Sequence, residues 1–229
     1  MYLAGCLLAA TNALPAAAAP GLPPTLEGLV KVEPTKLAAV YVLPGAEFSR
    51  YTKVMIDPAQ VSFQKNWIQD MKRGLDLSRR IDASDAQEIA EAARSGAGNI
   101  FATAFKAKGY EVVTAPAPDV LRLSPAIVNL YINAPDDMAG AGPSRTYAVE
   151  AGEATLLLEA RDATTGALLG VAMDRRATRS TGRLEFTSSV SNRSAFADMF
   201  KRWADICVSG LDELKARPPV RGPQGEKAR

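Results

Sequence analysis

The stretch from Gly152 to Arg179, GEATLLLEARDATTGALLGVAMDRRATR, constrains the fold of this chain more than any other. Two apolar runs flank Asp162-Ala163-Thr164-Thr165-Gly166. Asp and Thr side chains cap such a turn, and Gly166 supplies the positive φ that a tight reversal needs. The pattern predicts an antiparallel hairpin with long arms.

Other extended segments join it. LAAVYVLP and YTKVMIDPAQVSF are rich in β-branched and aromatic residues and are bounded by Pro44, Gly45 and Pro58. In the second, Val54 and Ile56 fall on one face and Lys53 and Met55 on the other, which suits a sheet covered on one side. YEVVTAPAPDVLRLSPAIVNLYINAP reads as a strand, a proline-rich turn and a second extended run, with a bulge or kink expected at Ser124-Pro125. DDMAGAGPSR reads as a mobile surface loop in which Asp136 and Asp137 are solvated.

Two segments change period. After a capping box expected at Ser84-Asp85-Ala86-Gln87, Ile89, Ala93, Ile100, Ala104 and Phe105 keep helical spacing until Gly109 ends it. Gly96 and Gly98 lack the context of a phosphate loop. A second helix, with Ser194 expected as its cap, lines up Phe196, Met199, Phe200, Trp203, Ile206, Cys207, Leu211 and Leu214. Pro218 and Pro219 end it. The predicted fold class is α+β: a mixed, mostly antiparallel β-sheet backed by about two α-helices in a single domain. The domain is placed at residues 37–216, after a leader at 1–19 and an extended, Pro-rich tether at 20–36, and before a disordered tail at 217–229.

The composition removes whole classes of chemistry. The chain has no histidine, which excludes Ser-His-Asp and Cys-His nucleophiles and His-rich metal centres. Its two cysteines, Cys6 and Cys207, cannot make a cysteine-only zinc site, and Cys207 fits a buried apolar filler. A net charge of +2, spread along the chain, gives no footing for a nucleic-acid groove binder. No cofactor and no metal are expected.

The amino-terminal segment MYLAGCLLAATNALPAAAAPG is uncharged and interrupted by Asn12 and Pro15, so it does not read as a transmembrane helix. Leu3-Ala4-Gly5-Cys6 resembles the lipobox of bacterial lipoprotein signals, in which small residues precede a cysteine that becomes acylated and N-terminal. That resemblance implies a true start upstream, lipidation at Cys6 and a flexible tether behind it. Cleavage near Ala18 or Ala19 would instead give a soluble periplasmic protein, and an Ala-rich start on a cytosolic chain is the plainest alternative.

Four stretches, YVLPGAEFSRYTKVMIDPAQVSF, GYEVVTAPAPDVLRL, EARDATTGALLGVAMDRRA and FADMFKRWADICVSGL, together resemble a bacterial lipoprotein family, domain of unknown function 3313. The resemblance spans residues 37 to about 215. It implies a lipidated cell-envelope protein and brings no established activity with it.

Three functions follow as expectations. The first is a non-enzymatic envelope module held at a bacterial membrane through Cys6 and binding a protein or another envelope component. Edge-strand or loop contacts near Asp136 to Arg145 would be its binding surface, and Asp174-Arg175-Arg176, at the far end of the hairpin, is a possible ligand or partner contact, because paired arginines clamp carboxylates and phosphates. An exposed strand end with the arginines paired to Asp174 is the structural account of the same residues. The second is a lipid or small-ligand carrier, with Phe101, Phe105, Phe196, Phe200 and Trp203 around a cavity of several hundred cubic ångströms. The third is a carboxylate hydrolase using two of Asp57, Asp82, Asp162 and Asp174, which would have to lie about 5–10 Å apart.

Overall fold

The structure is a computed structural model that describes residues 26–33, 36–74, 81–133, 147–148, 150–178, 185–186 and 189–221. The predicted hairpin is its centre. Strands β8 (Gly152–Asp162) and β9 (Leu168–Ala177) pair antiparallel from Glu153↔Ala177 to Arg161↔Leu168. Asp162 closes the turn, its Oδ1 accepting the backbone N–H groups of Thr164 and Thr165, and Gly166 has φ 72°.

Strand β6 (Val120–Ile132) lies along the other side of β8, and β2 (Ala39–Val42) along the other side of β9, with β1 (Val30–Lys31) at that edge. These pairs are all antiparallel. Strands β3 (Lys53–Ile56) and β4 (Gln60–Phe63) run parallel to successive halves of β6, and β5 (Glu111–Val112) runs parallel to β3. The sheet order is β1-β2-β9-β8-β6-β3-β5 with β4 also on β6, so the sheet is mixed and mostly antiparallel. Strands β7 (Tyr147–Ala148) and β10 (Glu185–Phe186) form a separate pair.

Pro58 divides the segment read as one strand into β3 and β4. Pro125 needs no bulge: it stays in register opposite Leu158. Asp57 N–H donates to the Leu123 carbonyl, so the odd positions of this part of β6 turn their backbone groups toward β3 and β4. The donor that Pro125 lacks therefore faces the gap between those strands, where none is needed. The irregularity falls instead between Val128 and Tyr131, where Asn129 takes φ 52°. Asparagine tolerates that left-handed geometry.

Helices α1 (Trp67–Gly74), α2 (Ala83–Ala107) and α3 (Ser189–Ala216) send their buried side chains into one core with Val54, Leu121, Leu123, Ile127, Leu130, Leu156 and Leu158. Trp67 stacks on Phe63 at 4.2 Å, and its Nε1–H donates to the Ile132 carbonyl. On α3, Phe200, Trp203, Ala204 and Val208 are almost fully buried. Of the aromatic set proposed for a cavity, Phe101, Phe105 and Trp203 are at most 1% exposed and serve as core, while Phe196 and Phe200 are buried beside a small pocket between α2 and α3.

Both helix starts differ from expectation. Asp82, not Ser84, caps α2: its carboxylate accepts the Ser84 and Asp85 amides while Asp85 accepts the Asp82 N–H. Either residue is a competent cap, and the Asp82 box lengthens the helix by a half turn. Helix α3 begins at Ser189, which leaves Ser194 exposed inside it. Gly109 ends the α2 turn with φ 88°, as expected.

Gly98 sits within α2 with open space where a Cβ would project. Gly98→Ala is therefore expected to raise the unfolding free energy by about 0.5–1 kcal/mol, measured by urea denaturation, since alanine lowers the entropy of the unfolded chain without a clash.

The edges extend past the boundaries read from sequence. Val32, in the segment read as tether, is 7% exposed and belongs to the core. In the segment read as tail, the Val220 carbonyl accepts the Gly45 N–H. Residues 1–25, the Asp136–Asp137 loop and residues 222–229 lie outside the described residues.

Candidate functional site

Asp174 is one of two buried carboxylates of the hairpin. Its register partner is Leu156, which puts it on the helix-covered face, and it is 6% exposed. Ala38 N–H donates to Oδ1 at 3.0 Å, and the Trp203 indole N–H donates to Oδ2 at 2.8 Å. Arg176, two residues on and on the same face, also donates to Oδ2 through Nε and reaches the Lys36 carbonyl through Nη2. One carboxylate thus joins β9, the entry to β2 and the middle of α3. The strand end is not exposed at Asp174, because α3 lies over it.

Strand alternation sends Arg175 to the opposite face. There it pairs with Glu153 at 2.6 Å, with two thirds of its side chain in solvent. Arg175 and Arg176 do not converge, so they present no joint clamp for one anion.

Asp162 is the second buried carboxylate. Beyond its turn contacts it accepts the Tyr51 hydroxyl at 2.9 Å. The Thr165 backbone N–H, helped by the Tyr51 and Thr165 hydroxyls and the Thr164 N–H, holds its pKa below the usual carboxylate value against the cost of burial. Burial, with the bond to Asp162, pushes the Tyr51 hydroxyl up to about 12. A depressed carboxylate stabilises the fold above its unfolded pKa of about 3.9, and that contribution is lost as the pH falls through the folded value. Wild-type stability is expected to drop on acidification below about pH 4, and Asp162→Asn to be less stable at neutral pH with a shallower acid limb. Urea midpoints measured from pH 7 to pH 2.5 check this.

The four carboxylates considered for acid–base work stand apart. Asp57, at the end of β3, binds Arg122 Nε at 2.9 Å and the Ser124 hydroxyl on the uncovered face. Asp82 caps α2. The extended chain from Leu156, opposite Asp174, to Asp162 spans about 20 Å. Each carboxylate is already engaged by donors of its own: Asp57 by Arg122 and Ser124, Asp82 by the first amides of α2, Asp162 by Tyr51 and its turn, and Asp174 by Ala38, Trp203 and Arg176.

Cys207 is buried beneath α3, and burial with the nearby Asp174 charge pushes its thiol up to about 12, so it remains protonated at neutral pH. Among the described residues no group of three or more Cys, Asp or Glu side chains is placed to hold a metal ion. No helix of the described residues is long and apolar enough to cross a membrane.

Two cavities lie between the sheet and the helices, of about 100 Å³ beside β2, β9 and α3 and about 150 Å³ between α2 and α3. Neither reaches the several hundred cubic ångströms of a lipid or cofactor pocket.

The face of the sheet that no helix among the described residues covers carries the remaining organised surface. Tyr41, Met55, Val128, Leu157 and Met173 are half-buried there and stand outside the helix-side core. Val120 and Val171 are buried among them, 1% exposed each. Asp57–Arg122, Glu159–Arg161 and Glu153–Arg175 cross the same face as ion pairs. The sequence points to Arg175 and to a sheet covered on one side, with Met55 away from the cover, but gives that open face no role. The signal was present as the period-2 alternation of β8 and β9, whose outward positions are also apolar at Leu157, Val171 and Met173.

No curated protein matches the chain. A PelC dodecamer from Paraburkholderia phytofirmans is 13% identical, covering 72% of this chain and 96% of that one, with a TM-score of 0.33. Protein XCC0632 from Xanthomonas campestris, of family DUF330, is 12% identical, covering 74% and 90%, with a TM-score of 0.34. The model of the protein family of unknown function DUF3313 matches residues 25–206, most of the chain and all ten strands of the structure. This chain belongs to the DUF3313 family.

Proposed function

We propose that the chain is a non-enzymatic binding module of the bacterial cell envelope, anchored to a membrane through a lipid on Cys6 and acting by contact with an envelope protein. The observation that carries the binding part is the uncovered sheet face. Three helices close one side of the sheet, while the other side combines half-buried Tyr41, Leu157 and Met173 with ion pairs that balance in charge. A charge-balanced face with apolar side chains among polar ones has the composition of a protein contact, and lacks the positive excess that nucleic acid or an anionic membrane would select. The anchoring part rests on Leu3-Ala4-Gly5-Cys6.

A photo-reactive residue at Leu157, in the full chain expressed in its envelope, tests the contact. The expected result is one adduct with an envelope protein that also forms from the two purified components and is lost in Met173→Glu. Adducts no different from those given by the same probe at Lys201, exposed on α3, would overturn the assignment of this face.

A further inference from the structure

We propose that the cavity between α2, α3 and the far end of β6 is a binding site for a compact, neutral, apolar group about the size of one aromatic ring. Its volume is about 150 Å³. The space exists because α2 presents Ala92, Ala93 and Gly96 toward it, where larger residues would fill it, while Ile100, Phe196 and Phe200 form its walls. The space opens to solvent past Glu88, Ala92 and Arg193, and its apolar walls have the area to cover a benzene-sized guest on its inner side.

Size and lining set the ligand class. The cavity is too small for a lipid chain or a nucleotide, whose pockets run from about 300 Å³ upward. Its floor, made by Leu130 and Ile132, is apolar, and Asn192 is the buried polar residue beside it. At the rim Glu88 comes from α2 and Arg193 from α3, one charge of each sign, so a charged ligand gains no net attraction there. A neutral apolar group gives up little hydration on entry and gains contacts with Leu130, Ile132, Phe196 and Phe200 on its inner side. The site is made by the domain alone, so it stands or falls separately from the envelope reading.

The test is a benzene titration of the full chain, followed by the ¹³C-methyl resonances of Ile89, Ile100 and Ile132. Saturable shifts at these methyls are expected, with Val120 and Val171 on the opposite face unmoved. A Cβ at Gly96 meets no atom within 4 Å, so Gly96→Leu fills the space and is expected to weaken benzene binding at least about tenfold with the rest of the methyl spectrum intact. If that variant does not fold, Ala92→Leu, which enters the cavity from the rim, serves the same purpose. Shifts that grow linearly without saturation, equal shifts at Val171, or undiminished binding in the filled variant would each overturn the proposal.

Discussion

Replacing Asp174 by alanine is expected to cost about 3 kcal/mol or more of unfolding free energy, the range seen when one member of a buried charged network is removed. The carboxylate accepts three donors: the Ala38 amide, the Trp203 indole and the Arg176 guanidinium. Arg176 can turn to water, being a quarter exposed, but Trp203 Nε1–H is sealed beneath α3 and would keep an unmet donor. An unsatisfied buried donor alone costs about 1–3 kcal/mol. Trp203→Phe removes that donor and also part of the ring volume at a fully buried position, so the coupling between the two substitutions, and not either single loss, reads the bond. In a double-mutant cycle by urea denaturation, the two substitutions together should cost less than their sum, by about 0.5–3 kcal/mol. Additive losses would mean that the indole and the carboxylate do not interact.

Gly152→Ala should be comparably severe, for a different reason. Gly152 opens β8 with φ 152°, and a Cβ there would stand 2.0 Å from the Tyr131 carbonyl oxygen and 3.0 Å from both the Ile132 Cα and the Phe196 ring. Two of those atoms are backbone of the neighbouring strand and cannot rotate aside. The surrounding amides are also committed: the Ala151 and Gly152 N–H groups donate to the buried Thr178 hydroxyl, and Thr178 N–H donates to the Gly152 carbonyl. Overpacking added to backbone strain is expected to cost about 3 kcal/mol, read as a fall in the urea midpoint. Gly98→Ala, the same chemical change in open space, should have the opposite sign.

Period carried most of the fold from sequence to structure. Alternation with a DATTG turn specifies β8 and β9 because both the side chain of Asp162 and the positive φ of Gly166 act within five residues. The stripe from Phe196 to Leu211 specifies α3 because helical spacing places those residues over one face of the sheet. Local choices between equals were less legible. Asp82 and Ser84 are both good caps with a partner three residues on, so the local sequence does not choose between them. The irregularity in β6 moved from Pro125 to Asn129 because the missing proline donor is harmless in the gap between two parallel strands, a placement that no window around Pro125 contains.

The candidate site was legible only in part. Asp174-Arg175-Arg176 stands out as three charges at the end of an apolar arm, and period 2 already separates Arg175 from its neighbours. That Asp174 is buried, and bound to Trp203 29 residues away, depends on α3 crossing β9. The Tyr51–Asp162 bond joins residues 111 apart and had no local signal. The carrier reading rested on five aromatic residues at helical spacing, which the fold uses as core, leaving only small cavities beside them.

The most direct test of the central claim is the intact mass and membrane partitioning of the protein made from its natural gene start in a Gram-negative host, beside Cys6→Ala. The account predicts a mature chain beginning at Cys6, carrying a diacylglyceryl group and an N-acyl chain, that partitions with the membrane, and a substituted chain with neither the added mass nor the anchoring. A mature protein cut near Ala19 without lipid, or an unprocessed chain in the cytosol, would contradict it.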